Sequence, residues 1–357
     1  MKRKILLGTL ALLLAISLGL LSCAKPAPTP APSPPPAPTP EPAPAPAPEP
    51  EKPIELDWVS FLPKNFVETV NVQKHFVDKV NERAKGRLVI NFRGGPETFG
   101  AFDIPKAVQS GVVDMGMVFV GAIEPVVPGV GATMLTKLTL EEERKPGGAY
   151  DYVLGLYKDK GLYYLGRGFH TGKGFFYTWL REKRVDKRED FIGLSIGGTT
   201  AAQPAVKAWG ATYTPIPLQE SYSAMERGVV DAIAAQPPAS WRDFKNYEVS
   251  KYVIDHAYYA ATPAVFMNLD SFNSLPKDLQ DIITGTFVEA EKEISKVAAK
   301  IMEDAMAWMV DNGHIEPIRL SAEDAKWYLD SAYEGAWQHQ QENFPEVTPK
   351  LKELYSK

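Results

Sequence analysis

Residues 193–197, Gly-Leu-Ser-Ile-Gly, have the Gly-x-Ser-x-Gly spacing in which a serine on a sharp strand-to-helix turn attacks an ester carbonyl. That chemistry would need a histidine to take the proton from Ser195 and an acid to orient the histidine, drawn here from Asp255 or Asp270 with His256 or His314. Almost any chain of this length supplies such partners, and no HGGG-like oxyanion loop precedes the serine, so the esterase reading rests on a short pattern alone. The five histidines, at 75, 170, 256, 314 and 339, show no HExxH spacing and no close acidic partner, and are expected at the surface or in packing; no metal and no cofactor is expected. Gly-Val-Gly-Ala-Thr-Met at 129–134 starts like a dinucleotide loop but lacks its last glycine and follows a proline-bearing stretch. Gly197-Gly198-Thr199-Thr200 enters a helix, which suits either free backbone N–H groups aimed at an anion or an ordinary helix cap.

The elements around these residues alternate. Strands are expected over 54–60, 88–92 and 112–120, with helices over 70–84 and 104–110 between them, an order that implies a mostly parallel sheet covered by helices. The order returns as strands over 193–196, 212–216 and 229–234 with helices over 200–209 and 222–227. AVQSGVVDM at 107–115 is echoed by AMERGVVDA at 224–232, each a helix end, a glycine able to take the left-handed cap, and a buried strand. Two similar α/β lobes follow. Helical periodicity over 277–312 runs without proline, and at ~1.5 Å per residue such a helix is about 50 Å long, enough to lie across both lobes.

The amino-terminal end carries Lys2, Arg3 and Lys4, then an apolar run to Leu21, the pattern of an export signal. Leu20-Leu21-Ser22-Cys23 resembles the lipobox of bacterial lipoproteins, which implies a signal peptide over 1–22 and lipidation of Cys23. Cys23 is the single cysteine of the chain, which excludes disulfides and cysteine metal sites. Residues 23–53 are rich in proline and alanine and should form an extended spacer between anchor and folded domain. The net charge is −5 and becomes more negative once the signal is removed, so a nucleic-acid partner is not expected.

Longer motifs point to a family. FVDKVNERAKGRLVINF followed by KAVQSGVVDMGMV, then DFIGLSIGGTTAAQPAVKAWGATYTPIPLQESYSAMERGVVDAI, then VFMNLDSFNSLPKDLQDII, are similar to successive signatures of the DctP-like solute-binding proteins of tripartite ATP-independent periplasmic (TRAP) transporters. The resemblance implies a two-lobed, periplasmic-binding-protein-like α/β fold, with 54–173 plus about 263–300 in lobe I and 174–262 plus about 301–357 in lobe II. It implies crossings near 166–174 and 261–266 and closure of the lobes on a solute. It further implies an exported, lipid-anchored binding protein and not an enzyme, whose partners are a small organic solute and the small and large membrane subunits. A ligand-sensing lipoprotein for a membrane receptor is the alternative, and a lipoprotein esterase using Ser195 a more distant one.

In that resemblance Ser195 stands where the family usually has lysine, and Gly197 where it has the arginine that pairs with the carboxylate of the ligand. Gly-Leu-Ser-Ile-Gly is then an accident of two substitutions, and Arg167 and Arg181 are the reserve candidates for a displaced clamp. The expected ligand set comprises Gly197, Gly198 and Thr199, with Gln236 near the position of the family's asparagine and Asn268 in the returning strand. Phe61, Phe99, Phe119, Phe176, Tyr177, Trp179 and Trp241 complete it as cleft walls less polar than is usual.

Overall fold

The computed structural model describes residues 52–171, 174–261 and 263–356; Cys23, its lipobox and nearly all of the proline-rich segment lie outside the described residues. The chain begins with β1 (Ile54–Ser60), where Leu56 and Trp58 turn into one core and Val59 into another. α1 (Val67–Val72) runs through a π-helical turn at Gln73–Val77 into α2 (Asp78–Arg83), and β2 (Leu88–Gly94), α3 (Ile104–Gln109) and β3 (Met115–Phe119) follow. Next come α4 (Val120–Ile123), a 3-10 turn at Val130–Leu135, α5 (Leu140–Glu143), α6 (Ala149–Lys158) and β4 (Leu162–Arg167). Then β5 (Phe176–Leu180) opens a second sheet, continued by β6 (Ser195–Gly198), α7 (Gln203–Ala208), β7 (Thr212–Pro215), α8 (Ser221–Glu226), β8 (Ala232–Gln236), α9 (Pro238–Asp243) and β9 (Tyr252–Tyr258). The chain returns through β10 (Pro263–Asn268) and α10 (Leu269–Ser274) to α11 (Lys277–Asn312), and ends with β11 (Glu316–Ile318), α12 (Ala322–Asn343) and α13 (Thr348–Tyr355).

The two sheets share one plan. Their strand orders are β2-β1-β3-β10-β4 and, read from the matching edge, β7-β6-β8-β5-β9-β11. In each a parallel βαβαβ trio is flanked by an antiparallel strand from elsewhere in the chain, β10 against β3 and β5 against β8. The architecture is the two-lobed α/β fold expected, with lobes joined where β4 leads to β5 and β9 to β10.

The repeated Gly-Val-Val-Asp behaves alike in both lobes. Gly111 and Gly228 take left-handed conformations, φ 72° and 69°, at the ends of α3 and α8, which a side chain would strain. The Val112 and Val229 N–H groups each donate back into the preceding helix at 2.9 Å, to Ala107 and Ala224. The strands expected from residues 112 and 229 therefore start later, at Met115 and Ala232, since the valine pairs are spent on the turn; Val112 and Val229 are largely exposed.

α11 joins the lobes. Its Ile283, Phe287 and Ile294 pack with Trp58 and Phe76, while Met309, at the other end, packs with Trp179 and Trp241 of the second sheet. At ~1.5 Å per residue its 36 residues span about 54 Å. The assignment of about 301–357 to lobe II needs one correction. Leu351, Leu354 and Tyr355 of α13 pack with Val130, Leu135 and Tyr157 of the first lobe, and the Lys137 N–H donates to the Tyr355 carbonyl at 3.2 Å. The end of the chain thus crosses back. No helix among the described residues is long and apolar enough to cross a membrane.

Candidate ligand cleft between the lobes

In open α/β sheets ligands bind beyond the carboxyl ends of the parallel strands. Here those ends are β1 and β3 in one lobe and β6 and β8 in the other, and their registers match: Trp58 pairs with Met115 as Ile196 pairs with Ala232, and Val59 with Gly116 as Gly197 with Ile233. Carried to the strand ends, the match sets Phe61 against Thr199 and Phe119 against Gln236. The lobes approach each other at this point. A Cβ built on Gly121, just past Phe119, would stand 3.5 Å from the Thr200 hydroxyl.

The first-lobe edge is aromatic. Phe61 and Phe102 both meet Phe119 edge-on, at 5.6 and 5.5 Å between ring centres, and half-buried Phe99 packs, like Phe61 and Phe119, against the buried core. Phe102, 63% exposed, was not among the residues picked from sequence; its place beside Gly100 and Asp103 reads as a polar turn.

The second-lobe edge is polar. Gln236 is 3% exposed, its side chain makes no hydrogen bond within the protein, and its carbonyl accepts from Trp179 Nε1 at 3.0 Å. Tyr177 pairs with Gln236 across β5 and β8, and Phe176, half-buried beside it, lies 6.3 Å from Tyr258. Gly198 is buried, and its carbonyl accepts from the Tyr213 hydroxyl at 3.0 Å, while Thr199 is half-buried ahead of the turn into α7. Tyr213 carried no sequence signal, because a tyrosine in a short edge strand is ordinary.

Several residues named from sequence lie elsewhere. Trp179 and Trp241 are fully buried and stacked on each other, 5.2 Å apart at 11°, so they form core and not a wall. Asn268 caps α10 by accepting from Ser271 N–H at 2.8 Å and donates to the Val108 carbonyl at 2.9 Å. Its strand is antiparallel to β3, with Pro263 opposite Phe119 and Met267 opposite Met115, so Asn268 sits at the end remote from the cleft. A Cβ on Gly197 would stand 2.7 Å from both Ile216 and Ile233, so this position has no room for any side chain in the present packing.

Arg181 does not reach the cleft, and Arg167, which ends β4 opposite Ala264 at the same end of the sheet as Phe119, is spent within the protein. Arg167 is 4% exposed; Nη2 and Nε donate to the two oxygens of Glu143 at 2.8 and 3.2 Å, and Nη1 and Nη2 to the carbonyls of Ala260 and Thr133 at 3.1 and 2.9 Å. Its backbone N–H donates to Glu291, which also holds Arg144 at 2.7 Å through Nε. Arg181 follows β5, and its N–H donates to the carbonyl of Asp231, at the amino end of β8 and away from the cleft.

Ser195 lies at that same far end. Its N–H donates to Asp231 at 2.9 Å, and its hydroxyl is 3.4 Å from that of Thr214. His256 is occupied accepting the Leu320 N–H at 3.1 Å, and His314 is exposed. The stretch at 129–134 is a left-handed glycine and a 3-10 turn, not a strand-to-helix phosphate loop.

Comparison with known proteins agrees with this geometry. Residues 59–341 match the family described as "Bacterial extracellular solute-binding protein, family 7", DctP. A "solute-binding protein" of Albidiferax ferrireducens is 25% identical over 274 residues, 74% of this chain and 79% of that protein. The 2,3-diketo-L-gulonate-binding periplasmic protein YiaO of Escherichia coli is 25% identical over 248 residues, 67% of this chain and 74% of the relative. Among solved structures, a TRAP periplasmic solute-binding protein from Ochrobactrum anthropi superposes with a TM-score of 0.73 at 22% identity, covering 85% of this chain and 95% of the other. One from Desulfovibrio salexigens, with bound orotic acid, gives 0.72 at 19%, covering 85% and 97%. The match to the family over most of the folded chain, on two lobes with the same strand plan, makes this protein a member of the DctP family of bacterial extracellular solute-binding proteins.

Proposed function

We propose that the protein captures a small, partly apolar organic solute between the aromatic edge of the first lobe and the polar edge of the second, and hands it to the membrane subunits of a TRAP transporter. The observation that carries this reading is Gln236: a side chain only 3% exposed, at the carboxyl end of a parallel strand, whose amide makes no hydrogen bond within the protein and keeps a narrow opening to solvent. A solute that closes this opening displaces the water at the amide, and one that hydrogen-bonds to it avoids the cost of about 1–3 kcal/mol for a buried amide left unpaired. Relatives with named ligands support organic acids as the class, gulonate derivatives and orotic acid among them.

With Gly197 closed in by isoleucines, Arg167 paired to Glu143 and Arg181 at the far end of its sheet, neither reserve guanidinium stands ready to clamp a carboxylate. A charged hydrogen-bonded pair is worth about 1.5–3 kcal/mol, one to two decades in affinity, so simple C4 dicarboxylates and pyruvate bind weakly. Mass spectrometry of solute co-purified with the protein, followed by a thermal-shift panel, tests this. A tight binder at a hundredfold excess over Kd adds about 2.7 kcal/mol, and an equally large shift with succinate or pyruvate overturns the proposal.

The protein is anchored through lipid on Cys23, with 24–53 as spacer. Mass analysis of protein extracted from membranes finds diacylglycerol on Cys23, and Cys23→Ser leaves the precursor unlipidated; an unmodified amino terminus elsewhere refutes the anchor. Ser195 takes no part in catalysis. Ester hydrolysis that disappears in a folded Ser195→Ala variant would contradict that.

A further inference from the structure

We propose that Glu68 is a proton-binding group at the junction of the two lobes, so that the contact between them forms with Glu68 protonated and loosens when it ionises. The inference goes beyond solute capture and does not depend on which solute is bound.

Glu68 lies in the first turn of α1, where an acid ordinarily faces water and the helix dipole. Here it is 7% exposed, and Oε2 has no hydrogen-bond partner. The polar side chains next to it on α1 are already committed, Thr69 to Ser60 at 2.9 Å and Asn71 to the Val67 carbonyl at 2.7 Å. What faces it comes from the other lobe. Phe66, two residues before it, packs on Phe244 of the second lobe with ring centres 6.1 Å apart. Asp243, the last residue of α9, is the charged side chain that bears on Glu68, and it carries the same sign. Arg242 is turned to Asp243 at 2.9 Å, and no charged side chain of α1 or α11 weighs on Glu68. A carboxylate in this position would be buried, with Oε2 unpaired, and beside a second carboxylate, which is the costly form. The neutral acid has no charge to desolvate and none for Asp243 to repel.

Burial, with Asp243 adding to it against the helix N–H of Glu68 itself, pushes the acid from its ordinary 4.5 up to about 7. With the lobes apart, Glu68 meets water and ionises in the ordinary carboxylate range. The sign follows: the group is raised in the joined state, so its support for that state is complete below about 4.5 and is lost as the pH rises through about 7.

The test measures the distance between the lobes directly. In the otherwise complete chain carrying Cys23→Ser, spin labels at Lys106→Cys and Lys187→Cys, both exposed and one in each lobe, report the distribution of separations between pH 5 and pH 8. In the chain with Glu68 intact, the ratio of joined to parted molecules falls by at least about tenfold across this range. Glu68→Gln, which mimics the neutral acid, removes the dependence and stays joined throughout. Asp243→Asn, which removes only the like charge, moves the midpoint to lower pH. A distribution independent of pH, or a Glu68→Gln variant that responds as the intact chain does, overturns the proposal. Should Glu68→Gln fail to fold, a midpoint unmoved by Asp243→Asn overturns it equally.

Discussion

Asp114 and Asp231 each accept the main-chain N–H of the neighbouring strand, from Asp57 at 2.8 Å and Ser195 at 2.9 Å, and each follows a glycine held near φ 70°. At this end of the sheets the two lobes are built alike. Two to five residues further along the same strands the likeness is gone: the first lobe ends in Val59-Ser60-Phe61 and Phe119, the second in Gly197-Gly198-Thr199 and Gln236. The corner that fixes the fold carries the repeat, and the edge proposed to meet solute carries the difference. Ser195 belongs to the first category. It is the counterpart of Asp57, a framework position, and the resemblance to a nucleophile elbow is confined to spelling.

Four experiments probe that division. The largest effect separates two arginines. Arg167→Ala strips Glu143 of its buried partner and should cost about 3–5 kcal/mol in urea unfolding, enough to threaten folding, whereas Arg181→Ala, partly exposed and 4.0 Å from Glu182, should change stability by less than about 1 kcal/mol. Equal costs would mean that the Arg167 cluster is not the joint between the crossings that it resembles.

Next is Gly197, whose counterpart Val59 is fully buried in comfort. Gly197→Val should cost about 1–3 kcal/mol by overpacking against Ile216 and Ile233, and Gly197→Arg should not create tight binding of succinate. A stable Gly197→Arg variant with a new carboxylate affinity would show that the second edge differs from its relatives by one side chain alone.

Exchange at the mouth is a smaller effect. Gln236→Ala should weaken binding of the co-purified solute by up to about tenfold, the value of one neutral hydrogen bond, with urea stability unchanged or slightly raised. Titration calorimetry showing unaltered affinity would remove Gln236 from recognition.

The smallest effect is acidic. Burial alone would raise Asp231, but the Ser195 N–H and Lys183 prevail and hold it below the ordinary carboxylate value of 3.8. A depressed acid stabilises the fold above that value and loses its effect as pH falls through its folded pKa, so Asp231→Asn should flatten the stability curve below about pH 4. An unchanged curve would show that the corner does not depend on its charge.

Much of the framework could be read from residue order. The bounds of β1 and α11 came from alternation and from an unbroken 3.6-residue period, and the two Gly-Val-Val-Asp corners from direct repetition. Errors arose where local pattern says nothing about direction or partner. Two consecutive valines resemble a strand, and only the bonds from Val112 and Val229 back into their helices show a turn. Asn268 and Trp179 sit on antiparallel strands, and sequence does not say which end of such a strand opens on the cleft. α13 has helical periodicity but nothing in it names the lobe it covers. Glu68 was invisible for the opposite reason: an acid in the first turn of a helix is what an exposed helix displays, and only the tertiary packing buries it and brings Asp243 to bear.

The 36-residue helix across the lobes has a further effect, on how the protein can vary. Its inward positions advance in steps of three and four from Leu279 through Ile294 to Met309, a stripe that winds slowly around the helix. Each residue advances the helix by about 100°, so one residue inserted near its middle would swing Met309 off the Trp179 and Trp241 core while Ile283 stayed in place. An insertion of four residues leaves an angular error of only about 40° but lengthens the span by a turn. The lobes are therefore not free to drift as separate modules: any change of length in the helix they share is felt by both at once, and their evolution is indexed to a common pitch.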